Sequence, residues 1–132
     1  MTVLAVALLL SGCVAEVPEV APPSPTPLTA QEIAELPLVD STWSGVDSGG
    51  DQTNFLLEGD HTVRVSYNEQ QWDEPADTWQ LAEGVITISV HLDPTHGELV
   101  YTAPYSEGAQ SLTATATTTA TGRTVTVTLT RQ

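Results

Sequence analysis

The chain has 132 residues, 40% of them hydrophobic and 15% charged, enough for one modest domain but not for a two-domain enzyme or an integral helical membrane protein. Seventeen Asp and Glu face only 3 basic residues, the arginines at 64, 123 and 131, so the formal net charge is −14 at pH 7 and the pI about 4.1. With no basic patch or arm to neutralise phosphate, the composition predicts no nucleic-acid partner and repulsion from anionic headgroups.

Residues 3–10 are an unbroken apolar run, far shorter than the roughly 20 residues a helix needs to cross a bilayer. That length suits a signal peptide. Directly after it comes Leu10-Ser11-Gly12-Cys13, in which small residues fit a peptidase cleft and the thiol can be acylated. Run length, small residues and cysteine position together resemble the lipobox of bacterial lipoproteins, although no Lys or Arg precedes the run as is usual in such signals. The resemblance implies a signal peptide over residues 1–12, a diacylglycerol-modified Cys13 as the mature N-terminus, and attachment to the extracytoplasmic face of a bacterial cell membrane. Cys13 is the only cysteine in the chain, so the domain has no disulfide and no Cys-based metal or catalytic site.

Residues 13–37 read as a linker. Pro18, Pro22, Pro23, Pro25 and Pro27 favour extended polyproline II geometry, a semi-rigid spacer between membrane and domain. Thr29 and Glu32 form a capping-box pair that predicts a short helical turn, and Pro37 ends it.

From residue 38 the hydrophobic period becomes two. Val125, Val127 and Leu129 alternate with threonines in the clearest strand pattern of the chain, and Leu112, Ala114 and Ala116 repeat it with smaller side chains. Strands are predicted over 41–47, 53–58, 61–67, 78–82, 85–92, 98–105, 112–117 and 123–131, joined by turn sequences such as Glu83-Gly84, with one longer loop at 68–77. Short strands, tight hairpins and no intervening helix predict an all-β fold, a small antiparallel up-and-down β-barrel of about eight strands in which the last strand pairs with the first. A two-sheet sandwich competes. The inward-facing set runs from Trp43, Phe55 and Leu57 to Val127 and Leu129, and includes Tyr67, Trp79, Leu92, Leu99, Tyr101 and Val125.

Trp43-Ser44-Gly45 on the first strand and Arg131 at the end of the last make residues 38–132 resemble the small lipocalin-like (calycin-type) barrels of bacterial lipoproteins, though lipocalins proper carry Gly before Trp. The resemblance implies that the Arg131 guanidinium lies over the Trp43 ring and closes the barrel floor, an interaction worth about 0.5–2 kcal/mol. It further implies that the barrel binds a small apolar or amphipathic molecule. Inward-facing Ala114 and Ala116 leave room for one, and Tyr67, Trp72, Trp79, Tyr101 and Tyr105 are the residues expected to line its mouth. The alternative is a barrel filled by those aromatics and acting as a non-enzymatic interaction module of the cell envelope. A cavity below the roughly 300 Å³ typical of ligand pockets defeats the carrier reading and leaves the filled barrel.

Other constellations carry less. Asp47-Ser48-Gly49 resembles the active-site triplet of aspartic proteases, but the supporting apolar segment has no counterpart downstream, and a hairpin loop accounts for it. His91, Asp93 and His96 have the spacing of a surface metal site yet read better as a solvated turn, and Asp47 with Asp51 lacks a regular calcium loop. There is no nucleophile elbow, phosphate loop or lysine nucleophile, and Glu58 as a general acid has no supporting motif. The sequence therefore predicts a monomeric, non-enzymatic binding domain without metal or cofactor. Its partners are the membrane through Cys13, a small apolar ligand, or a cationic envelope component drawn to the acidic surface.

Overall fold

The computed structural model describes Gly12, residues 18–72 and residues 74–132; the apolar run and Cys13 lie outside the described residues. Residues 18–28 are exposed and without regular structure. Helix α1 (Ala30–Glu35) follows, with Thr29 as N-cap: its hydroxyl accepts from the Glu32 N–H at 3.2 Å, and the Glu32 carboxylate accepts from the Thr29 N–H at 2.7 Å. This reciprocal pair is the capping box read from the sequence. No residue of α1 is buried. Polar contacts hold it to the domain instead, as the Gln31 amide donates to the Leu81 carbonyl and Glu35 Oε2 lies 2.9 Å from His61 Nε2. Among the described residues no helix is long and apolar enough to cross a membrane.

Nine antiparallel strands make one strongly curled half-barrel sheet: β1 (Ser41–Val46), β2 (Gln52–Leu57), β3 (Val63–Tyr67), β4 (Gln70–Gln71), β5 (Thr78–Ala82), β6 (Val85–His91), β7 (Glu98–Pro104), β8 (Ser111–Thr118) and β9 (Thr124–Arg131). The sheet order is β4-β3-β2-β1-β9-β8-β7-β6-β5, a meander whose last strand pairs with its first. All eight predicted strands are present within one or two residues at each end, and β4 is extra. It forms because Asn68 (φ 48°) and Glu69 (φ 66°) both take left-handed geometry, which folds Tyr67 back on Gln70 in a tight hairpin inside the segment expected to be a loop.

The period-two pattern sorts side chains as predicted. Val127 and Leu129 are buried between exposed threonines on β9, and Leu112, Ala114 and Ala116 do the same on β8. Leu38, Ala103 and Tyr105 join the core beyond the expected set. Leu38 is fully buried just after Pro37, so the incoming chain closes one end, the floor. There the Arg131 guanidinium lies 5.8 Å from the Trp43 ring centroid and donates to the Pro37 carbonyl at 2.7 Å, while Trp43 Nε1 donates to Ser41 Oγ at 2.8 Å. The turns at 47–51, 68–69, 92–97 and 119–123 form the opposite end, the mouth.

The ladder is continuous through β1 and β9 but lapses between the two ends of the sheet. Only at one rim does β3 approach β5, through the Thr62–Thr78 bridge and the backbone bonds Val63 N to Asp77 O (3.2 Å) and Trp79 N to His61 O (2.9 Å). Beyond that point residues 68–72 and 74–77 fill the gap. Their polar sequence and Pro75 do not continue a sheet ladder.

Gly45 fixes the closest approach within the ladder. A Cβ there would sit 2.2 Å from the Thr128 carbonyl oxygen, at the point where the β1–β9 pairing lapses between Ser44–Thr130 and Asp47–Val127. Gly45→Ala is expected to push β1 off β9 and destabilise the domain by about 1–3 kcal/mol. Thermal unfolding followed by circular dichroism checks this, at roughly 4–8 °C per kcal/mol for a domain of this size.

Candidate functional site

Four residues expected in the core, Tyr67, Leu92, Leu99 and Val125, are only half buried, and all four lie at the mouth. The barrel is packed from the floor upward and left unfilled at this end. From the floor, Leu38, Trp43, Leu57 and Phe55 fill the axis up to the Phe55–Tyr101 edge-to-face contact, with ring centroids 4.9 Å apart. Above that contact is an apolar cavity of about 270 Å³, walled by Val65 and Tyr67 of β3, Val90 and the adjacent Leu92 of β6, and Leu99 and Tyr101 of β7, and roofed by Trp72.

Trp72 closes the side where the sheet is incomplete. Its N–H donates to the Val65 carbonyl of β3 at 2.8 Å and its indole Nε1 donates to the His91 carbonyl of β6 at 3.2 Å, so one residue spans the gap. Trp72 as a whole remains 43% exposed, half wall and half rim. Asp77 secures the segment behind it. This fully buried carboxylate accepts from the His91 N–H at 2.6 Å and the Glu74 N–H at 3.0 Å, and its own carbonyl accepts from Val63. Burial holds its carboxyl above the usual aspartate range, against the opposing pull of the two N–H donors.

Of the five aromatics expected at the mouth, Tyr67, Trp72 and Tyr101 line the cavity and Trp79 and Tyr105 do not. The stagger of the strands decides this. The start of β5 abuts the start of β3 at Thr62–Thr78, which lowers Trp79 to the floor side, where its Nε1 donates to the Glu58 carbonyl at 2.8 Å beside the His61 ring. Tyr105 follows β7, which runs from mouth to floor, and is buried there.

A second, smaller cavity of about 140 Å³ adjoins the first and shares Tyr67 and Leu99 with it; Asp47, Asp51, Arg123 and Thr118 give it polar walls. The Tyr67 hydroxyl and the Asn68 amide (2.8 Å) bond to Asp51 and hold its carboxyl below the usual range, so it is ionised. Desolvation first, then the hydrogen bond to Asp51 and the nearby Asp51 and Asp47 charges, push the Tyr67 phenol far above its ordinary value. Burial likewise pushes Tyr101 up to about 12. Both phenols are neutral at any physiological pH.

The remaining constellations take structural roles. Asp47 Oδ1 accepts from Gly49 N (2.7 Å) and Asp51 N (3.0 Å), the self-capped hairpin turn that the Asp47-Ser48-Gly49 stretch suggested. His96 Nδ1 is 2.7 Å from Asp93 Oδ2 whereas His91 Nδ1 faces Glu98 Oε1 at 3.6 Å, so the two imidazoles do not converge. Among the described residues no three His, Cys, Asp or Glu gather as metal ligands. Sequence reasoning missed Asp77 and Thr53. The signal for Asp77 was its place in a Pro-Ala-Asp turn just before a strand, where an Asx carboxylate caps backbone N–H groups. Comparison with protein-family models, curated proteins and solved structures found no match.

Asp77→Ala leaves the His91 and Glu74 N–H groups without their acceptor and is expected to cost about 2–3 kcal/mol, read by denaturant unfolding. The pH dependence has a defined sign. A carboxyl whose folded pKa is raised binds its proton more tightly in the fold, so its contribution is fully present below the unfolded value near 3.9 and is lost as pH rises through the folded value. Asp77→Asn is expected to flatten that slope of stability against pH in the acid range.

Proposed function

We propose that this protein is a lipid-anchored, extracytoplasmic binding domain, lipocalin-like in layout, that takes the apolar part of a small amphipathic molecule into the cavity at its mouth. One observation carries the reading: about 270 Å³ of apolar space stays unfilled at the open end of an otherwise packed barrel. Protein interiors rarely leave voids larger than a water molecule, and an apolar pocket with a few converging polar groups is the common form of a small-molecule site. The volume falls short of the roughly 300 Å³ set by the sequence as the test, which counts against a carrier that encloses its ligand whole; the proposed mode is therefore partial insertion, with the polar part at the rim. The filled floor, with Trp43, Trp79 and Leu38 buried, favours a second reading, an interaction module acting through its acidic surface on a cationic envelope component. No side chain in the site is arranged as nucleophile and base, and the proposed role is binding without chemistry.

The anchor rests on the apolar run and Cys13 of the sequence. At about 3.1 Å per residue, extended Pro-rich residues 18–28 would lift the domain roughly 30 Å from the bilayer.

Native mass spectrometry of the protein purified from its host is expected to show a retained small adduct. Leu99→Trp, which fills the wall common to both cavities, is expected to lose that adduct while keeping its strand signal in circular dichroism. Adduct-free wild type, or an adduct unaffected by Leu99→Trp, rules against the mouth cavity and favours the interaction module. For the anchor, Cys13→Ser is expected to move the protein from membrane to soluble fractions, and unchanged fractionation refutes lipidation at that residue.

A further inference from the structure

Ser24 and Thr26 stand in the run Pro23-Ser24-Pro25-Thr26-Pro27, each between two prolines. A proline fixes its own φ at about −65°, has no N–H to donate, and drives the residue before it out of helical geometry into extended backbone. Both residues precede a proline, so their extended backbone is set locally and does not depend on the domain. Both are exposed, lie in the segment without regular structure, and make no hydrogen bond among the described residues.

Within the domain, hydroxyls are held differently. The outward threonines of β8 and β9 sit in a paired ladder, Thr113 against Thr128 and Thr115 against Thr126. In the turns, Thr119 Oγ1 accepts from the Glu98 N–H at 2.9 Å, Ser48 Oγ accepts from the Thr126 N–H at 3.2 Å, and the Thr62 hydroxyl donates to the Glu58 carboxylate at 2.8 Å. Thr29 is committed to its capping box with Glu32. An enzyme that must enclose a hydroxyl together with its flanking backbone reaches a ladder residue only after local unfolding, whereas a preformed extended segment enters a groove at little ordering cost.

Serine and threonine interspersed with proline are the composition of O-glycosylated stalks. Resting on the export and anchor reading above, we infer that Ser24 and Thr26 are acceptor sites for O-linked glycosylation. The side-chain oxygen attacks the anomeric carbon of a lipid-linked glycosyl phosphate. A glycosidic carbon–oxygen bond forms, the bond from that carbon to the phosphate oxygen breaks, the lipid phosphate leaves, and the hydroxyl proton passes to a base of the transferase. Such a donor lies in the membrane, and the acceptors are near it. Ser24 is eleven residues beyond Cys13, so it stands no more than about 40 Å from the anchor. A neutral sugar also leaves the formal charge at −14, whereas phosphorylation would add about 1.5–2 negative charges per site to a chain that already repels itself.

The test is the intact mass of the full chain purified from its host, followed by fragmentation that keeps side-chain modifications in place. Increments of whole sugar residues are expected, carried on Ser24 and Thr26 and absent from β8 and β9. Ser24→Ala and Thr26→Ala are each expected to remove the increments of their own site, and the double variant to lose all of them with its strand signal in circular dichroism unchanged. An exported protein whose linker carries no sugar overturns the assignment and leaves the anchor standing, as does a phosphate increment at either residue. Sugar on the threonines of β8 or β9 that survives in the double variant also overturns it, because extended backbone then does not select the site. Protein retained inside the cell with residues 1–12 still attached defeats the export reading, and the assignment with it.

Discussion

The pairing of β1 with β9 is the interaction on which the rest of the structure depends. Strands β1 to β4 form one short meander and β5 to β9 another, and the ladder at Trp43–Arg131 and Ser44–Thr130, continued by the Asp47–Val127 bridge, makes them one sheet, with the Thr62–Thr78 bridge a second, single-point link at one rim. It succeeds because Gly45 admits the Thr128 carbonyl and because Trp43 and Arg131, set opposite each other, converge with Pro37 and Leu38 on the floor. A buried indole, a guanidinium at 5.8 Å from its centroid and a fully buried leucine thus anchor the same end of the molecule from the two chain termini of the domain.

Tight closure at one side has a consequence at the other. With the first and last strands joined, the free edges fall at β3–β4 and β5, where an unpaired strand would template aggregation. Each edge is managed locally. The Gln31 side chain of α1 takes a carbonyl of β5, β4 doubles back along β3, and Trp72 and Asp77 span the remaining gap. The cavity exists because that gap is covered by a strap of chain and not by a strand, which would have filled the barrel at the level of Tyr67 and Leu99. The proposed binding role therefore follows from an incomplete ladder more than from any dedicated set of ligands.

Much of the fold was legible in the sequence because period two is imposed by the pleat itself, and one face of every strand from β1 to β9, β4 apart, is buried. The threonine alternation of β8 and β9, the Glu83-Gly84 hairpin and the Thr29 capping box are all local signals, decided within a few residues. What escaped is non-local. Leu38 fell inside the domain but outside the inward-facing set because nothing near it shows that the floor needs a plug. Trp79 and Tyr105 looked equivalent to Tyr67 and Tyr101 because periodicity gives the face of a strand but not its height, and the stagger of β5 against β3 sets that height. The two-residue β4 is too short to leave a pattern, and it rests on left-handed geometry at Asn68 and Glu69, of which only asparagine is a customary signal.

The account stands on the mouth being a real, accessible apolar volume while the floor is solid. Methyl-resolved NMR of the full chain during a decanol titration reads both ends at once. Saturable shifts at Val90, Leu92 and Leu99, with Leu57, Leu81 and Leu129 unmoved, are the predicted result. Methyls that stay still throughout, or floor methyls that move together with those of the mouth, would contradict it.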